Sequence, residues 1–187
     1  MKSGMDVGIK IKNPDAEREK LDKEFRKILD IYVKTNNELY VLWYYDTLGI
    51  TIGDYAITII TDDVNYYAEM FAEKLGEVLT PAIIEKLKEL GVKGDLSKIR
   101  VEGFDEENDL VIACNGDWVA DIRCIPYGWG RIYPPRGVVI PPFTEAVAKG
   151  VESIIRSMYD EPDYWDEKGL EVPDEVFGKY LDLTGEV

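Results

Sequence analysis

The chain contains no histidine and no glutamine, only four serines and only two cysteines, Cys114 and Cys124. Each scarcity removes chemistry. Without an imidazole, Ser-His-Asp and Cys-His nucleophilic catalysis are excluded, as are histidine-ligated zinc sites. Two thiols cannot build a thiolate-only zinc centre in one chain. Neither the G-x-x-x-x-G-K-[ST] nor the G-x-G-x-x-G phosphate-binding pattern occurs, and the Gly128-Trp129-Gly130 triplet is too short to stand for either. No segment approaches the ~20 apolar residues of a membrane-spanning helix. The opening MKSGMDVGIKIKN carries no apolar run of signal-peptide length. The expectation is a soluble, intracellular (cytoplasmic) protein without a membrane partner, its thiols reduced.

What is abundant is charge. Of 187 residues, 32% are charged, with 37 acids against 22 bases and a formal charge of −15. Abundant Glu and Lys without Gln is a thermophilic pattern of composition. So acidic a surface repels phosphate and argues against an extended nucleic-acid interface. It is compatible with a basic protein partner, with mimicry of nucleic acid, with carboxylate-held metal, or with solubility alone. At 45% hydrophobic residues the chain can fill a core without disulfide staples.

Periodicity gives an α+β reading. Val7, Ile9 and Ile11 alternate as a half-buried strand, and Asn13-Pro14 opens a helix reaching Thr35 with its stripe on Leu21, Phe25, Ile28, Leu29, Tyr32 and Val33. Leu39 to Tyr45 and Tyr55 to Thr61 are strand-forming, joined through Gly53-Asp54 in a hairpin or three-strand meander. Because Leu39–Tyr45 is apolar at nearly every position, both faces of that strand are expected to be covered. Asp62 and Asp63 cap a helix from Val64 to Leu79, and Thr80-Pro81 starts another ending at Gly91. Lys98 to Phe104 is a strand, and Asn115-Gly116 marks a hairpin. A helix capped by Thr144 and a short helix over Pro173–Leu181 complete the chain. The expected architecture is a mainly antiparallel sheet of five to seven strands flanked by three or four helices. Residues 1–158 form the domain, and 159–187 an ordered acidic extension docked on it.

The Asn115-Gly116 hairpin supplies one set of candidates. A simple register sets Cys114 opposite Asp117, Ile112 opposite Val119 and Leu110 opposite Asp121. That separates the two thiols by on the order of 20 Å, too far for a disulfide, so both are expected to be free and buried. Asp121 and Arg123 share one strand face, where they can pair. Over three residues, Asp121-Ile122-Arg123 resembles the (D/E)-x-K strand of restriction-like nucleases, in which carboxylates hold Mg²⁺. Arg123 departs from that pattern, because a guanidinium cannot act as a base. Asp109, Asp117 and Asp121 are the candidate ligands for Mg²⁺ or Mn²⁺, with Asp117, Asp121 and Arg123 as the catalytic set of such a phosphate-ester enzyme. The acidic run Asp105 to Asp109 lacks EF-hand spacing and reads as a solvated hairpin loop.

Between Ile122 and Thr144 there is no acidic residue, yet there are three arginines and five of the nine prolines. Tyr127, Trp129, Arg131, Tyr133 and Arg136 are residue types that anchor interfaces, on a chain stiffened by proline. From Glu152 to Val187 there are instead eleven acids and three bases, with Tyr159, Tyr164 and Trp165 among them. The two segments are electrostatic complements, so the loop arginines can meet the acidic tail of the same chain or of another copy. The leading expectation is a non-enzymatic acidic binding module, an inhibitor or nucleic-acid mimic. Its acidic face, including Asp163, Tyr164 and Trp165, engages a basic protein partner or a second copy. The alternatives are the metal-dependent enzyme and a structural or assembly subunit, viral in one version.

Overall fold

The structure is a computed structural model that describes residues 8–128 and 136–181. The fold is α+β, with nine strands in two sheets and five helices among the described residues. The first half supplies β1 (Gly8–Ile11), α1 (Arg18–Thr35), β2 (Leu39–Trp43), β3 (Thr47–Ile52), β4 (Tyr55–Ile60) and α2 (Val64–Glu89). A 3-10 turn at Leu96–Lys98 leads to β5 (Ile99–Phe104), β6 (Leu110–Cys114) and β7 (Asp117–Ile122). Then come β8 (Ile125–Gly128), β9 (Arg136–Ile140), α3 (Phe143–Asp160), α4 (Pro162–Glu167) and α5 (Asp174–Tyr180).

The larger sheet has the order β1-β4-β3-β2-β9-β8 and is antiparallel except for the β1–β4 pair. One row across it reads Lys10, Thr58, Gly49, Leu42, Gly137 and Tyr127. Burial alternates along β2 and β3: Leu39, Val41, Leu48 and Ile50 are in the core, whereas Tyr40, Leu42, Gly49 and Thr51 stay half-exposed. The second cover expected for β2 is not supplied by any described helix. The described helices pack on the inner face, where Phe25, Tyr32, Phe71 and Ile154 join one core with Val41 and Ile50.

The smaller sheet, β5-β6-β7, packs on α2 and α3. Its hairpin turns at Asn115 and Gly116, both at positive φ (53° and 92°), the backbone that Asn-Gly supplies at least cost. The simple register holds at Cys114 opposite Asp117 and at the next pair, Ala113 opposite Trp118. A bulge at Val119 then shifts the pairing, so Ala120 faces Ile112, Asp121 faces Val111 and Ile122 faces Leu110. The bulge keeps Ile122 in the core and moves Asp121 to the outer face.

Pro81 does not begin a new helix. It lies inside the continuous α2, which reaches both sheets. Its ring removes one helical N–H, and the Thr80 hydroxyl accepts the backbone N–H of Val101 on β5 at 2.9 Å instead of capping anything. Gly76 makes this close packing of α2 on β5 feasible: a Cβ there would stand 2.2 Å from the Val101 carbonyl oxygen. Other expected caps differ as well. Asp63 precedes α2, yet its side chain makes no capping hydrogen bond. Thr144 sits inside α3, where its N–H and hydroxyl both donate to Asn36 Oδ1. The 14–17 segment is a turn ahead of α1, with the Ala16 N–H donating to Asn13 Oδ1. Both cysteines are free and buried. No helix among the described residues is long and apolar enough to cross a membrane.

Candidate functional sites

Three carboxylates converge at the open end of the small sheet. Asp105, Asp109 and Asp121 each present an oxygen within 4.8 Å of the others. The local chain sets them there. Asp105 Oδ1 accepts the N–H groups of Glu107 (2.8 Å) and Asp109 (3.0 Å), folding the β5–β6 connection into a tight turn with Asn108 at φ 63°. Asp109 Oδ1 accepts the Cys124 N–H at 2.8 Å, and the Asp121 N–H donates to Ser153 Oγ at 3.2 Å. Desolvation, and then the neighbouring Asp109, push the Asp121 carboxyl above its ordinary range, while Arg123 opposes the shift. A divalent cation would relieve that repulsion.

Of the expected ligands, Asp109 and Asp121 come together and Asp117 does not. Asp117 lies at the other end of β7, where Oδ2 accepts the Tyr164 hydroxyl at 2.8 Å and stands 3.7 Å from Lys168 Nζ. Asp105 takes its place in the cluster. Its signal was in the sequence: an aspartate four residues before another, across Asn108, forms a side-chain turn that gathers both.

The C-terminal segment surrounds a second site. Trp165 is 1% exposed, and its Nε1–H donates to Ser157 Oγ at 3.0 Å. The Tyr164 hydroxyl reaches the Cys114 carbonyl at 3.2 Å as well as Asp117, and burial raises its pKa first, followed by Asp117. Lys93 and Glu171 exchange backbone hydrogen bonds of 2.8 and 3.0 Å. These ties leave a groove of about 530 Å³ beside the C-terminal end of α2. Its floor includes Met158, Leu170 and Phe177, and Asp166, Glu171 and Asp174 stand at its edge as exposed carboxylates, with Lys93 the one basic residue among the described lining residues. Tyr159 packs edge-on against Phe177 at 5.3 Å and remains 44% exposed. Asp163 is exposed, whereas Trp165 is occupied inside the fold.

The proline-rich loop is represented by its ends. Tyr127 on β8 is exposed and stacks edge-on with Tyr40 at 5.4 Å. Arg136 opens β9, its backbone paired with Trp43 and Gly128. Trp129, Arg131, Tyr133 and the Arg136 side chain lie outside the described residues, and so does the expected contact between the loop arginines and an acidic tail.

Fold and sites define an acidic α+β protein with a carboxylate-rimmed groove and a separate carboxylate cluster. No protein-family model matches the chain, and no curated protein or solved structure is significantly similar to it.

Proposed function

We propose that the chain is an acidic binding module whose groove beside α3, α4 and α5 receives a basic protein segment. One observation carries this reading: an apolar floor of Met158, Leu170 and Phe177 is rimmed by the carboxylates of Asp166, Glu171 and Asp174. The surrounding segment 159–175 holds eight acids and one base. An apolar or aromatic side chain fills the floor, and flanking lysines or arginines meet the rim. The rim is exposed, so its charges contribute more to the rate of encounter than to affinity. The probe is a fluorescein-labelled peptide with one Leu or Phe between lysines and arginines, followed by anisotropy. Binding should weaken ~10-fold or more when Asp166→Asn, Glu171→Gln and Asp174→Asn are combined, and association should slow as salt rises from ~20 to ~150 mM. A triple variant that binds as well as the parent refutes the reading.

A second reading rests on the convergence of Asp105, Asp109 and Asp121. These carboxylates suit Mg²⁺, Mn²⁺ or Ca²⁺, and Arg123 beside them could orient a phosphate, as a metal-dependent phosphate-ester enzyme requires. Because the folded-state pKa of Asp121 is raised, its ionisation opposes folding. Without cation, that penalty is absent below the unfolded-state pKa and grows as pH rises through the folded one. Millimolar cation should raise the melting temperature at neutral pH, and Asp121→Asn should abolish the increment while stabilising the metal-free protein. An unchanged melting temperature with all three cations removes this reading.

A further inference from the structure

No described helix covers the outer face of the six-stranded sheet, on which Val139 is the one buried side chain (6% exposed) among the described residues of the two middle rows. Its middle rows are Lys10, Thr58, Gly49, Leu42, Gly137 and Tyr127, and beside them Ala56, Thr51, Tyr40, Val139 and Ile125. Three features set this face apart. First, β2 is apolar on both sides, the pattern of a strand covered twice, yet the described helices cover it once. Second, among the described strand residues that point outward there is no carboxylate, in a chain with 37 acids. The one described charge among them is Lys10, on the edge strand β1, where it can remain in water. Third, the centre is flat, built from Gly49, Gly137, Thr51 and Thr58, while Tyr127 (48% exposed) and Ile125 (54%) stand at the β8 edge.

We propose that this face is the seat of a second copy of the same chain, packed sheet on sheet. The charge pattern selects the occupant. A basic partner would need several carboxylates here and a nucleic acid would need a basic surface. The described face offers only Glu38, which accepts the Tyr40 hydroxyl at 3.3 Å at the end of β2, and Lys10 on the edge strand. Two copies that each carry −15 approach most readily where acid is sparsest, and here the Glu38 carboxylate sits at the end of β2 rather than at the centre of the face. Small residues allow the ~10 Å spacing of stacked sheets. Six strands at ~4.8 Å and about five residues at ~3.3 Å give a flat footprint on the order of 400 Å² per copy. Pleat and side-chain relief raise the total to about 1,000 Å², at the low end for specific interfaces, so the dimer should be weak and governed by concentration. The same patch on both copies implies a closed two-fold pair rather than a growing polymer. The groove plays no part in this proposal, so either can fail without the other.

Sedimentation velocity from ~1 μM to ~1 mM tests it across the range where such interfaces assemble. The mass should rise from 21.3 kDa toward twice that value and stop there. Thr51→Glu and, separately, Thr58→Glu put a carboxylate on the outer face, and each should hold the protein monomeric with its circular dichroism unchanged. Two sites guard against one variant misfolding. Trp118→Glu, on the exposed face of the other sheet, should associate like the parent. A parent that stays monomeric throughout, folded glutamate variants that still dimerise, assembly beyond a dimer, or loss of the dimer in the Trp118 variant each overturns the proposal.

Discussion

Replacing Trp165 by alanine removes the largest fully buried side chain among the described residues. A tryptophan withdraws about 200 Å² from water, and at about 25 cal/mol per Å² this sets a ceiling near 5 kcal/mol. Large-to-small substitutions of buried aromatics cost about 3–5 kcal/mol, because the site collapses only in part. The Ser157 hydroxyl, which accepts from Nε1, loses its partner, adding about 1 kcal/mol. The expected loss is therefore about 4 kcal/mol, or roughly 8–16 °C in melting temperature for a chain of this length. Trp165→Phe keeps most of the ring, forfeits the Nε1–H bond, and should lose only about 1–2 kcal/mol. Urea unfolding followed by far-ultraviolet circular dichroism gives these differences without relying on tryptophan emission. Trp118→Ala, at a residue 69% exposed, should shift stability by no more than ~0.5 kcal/mol. If Trp165→Ala costs less than about 1 kcal/mol, the argument that α4 is fastened to the body by this indole is wrong.

Gly76→Ala is a helix substitution that would ordinarily stabilise by up to ~1 kcal/mol. Here the new methyl would stand 2.2 Å from the Val101 carbonyl oxygen, a backbone atom that cannot rotate away as a flexible side chain could. The variant should instead lose about 1–3 kcal/mol in thermal or urea unfolding, and a gain would refute the close α2–β5 packing. Burial, ahead of Asp109, pushes the Cys124 thiol up to about 12, and burial raises Cys114 as well. At pH 8 neither thiol is appreciably ionised, so a disulfide-exchange reagent should label the native protein slowly and two thiols promptly in denaturant. Rapid labelling of native Cys124 would contradict its burial.

Most elements could be read from local pattern because each period reports one buried face. Leu21, Phe25, Ile28 and Tyr32 mark α1, and Asn115-Gly116 marks its hairpin directly. The most consequential misreadings turned on partners distant in sequence. Thr80-Pro81 has the local form of a helix start, but Val101, twenty-one residues later, takes the Thr80 hydroxyl and the helix continues. The bulge at Val119 is fixed by keeping Ile122 in the core, which no two-residue turn encodes. For the same reason the set Asp109, Asp117 and Asp121 was half legible. Strand alternation relates Asp117 to Asp121, but the extra residue and the Asp105 turn decide which carboxylates meet. The apolar character of β2 was read correctly, while its second cover is not supplied by any described helix.

The unbroken passage of α2 through Pro81 also bears on how the molecule comes apart. One helix touches β2 and β3 of one sheet and β5 of the other. Neither sheet can open far without stripping the same helix from its neighbour. The two layers should therefore melt as one cooperative unit, with amides on both sides of Pro81 exchanging through shared openings rather than as separate foldons. A proline that looks like a break in the chain thus sits in the middle of the element that makes its unfolding all-or-none.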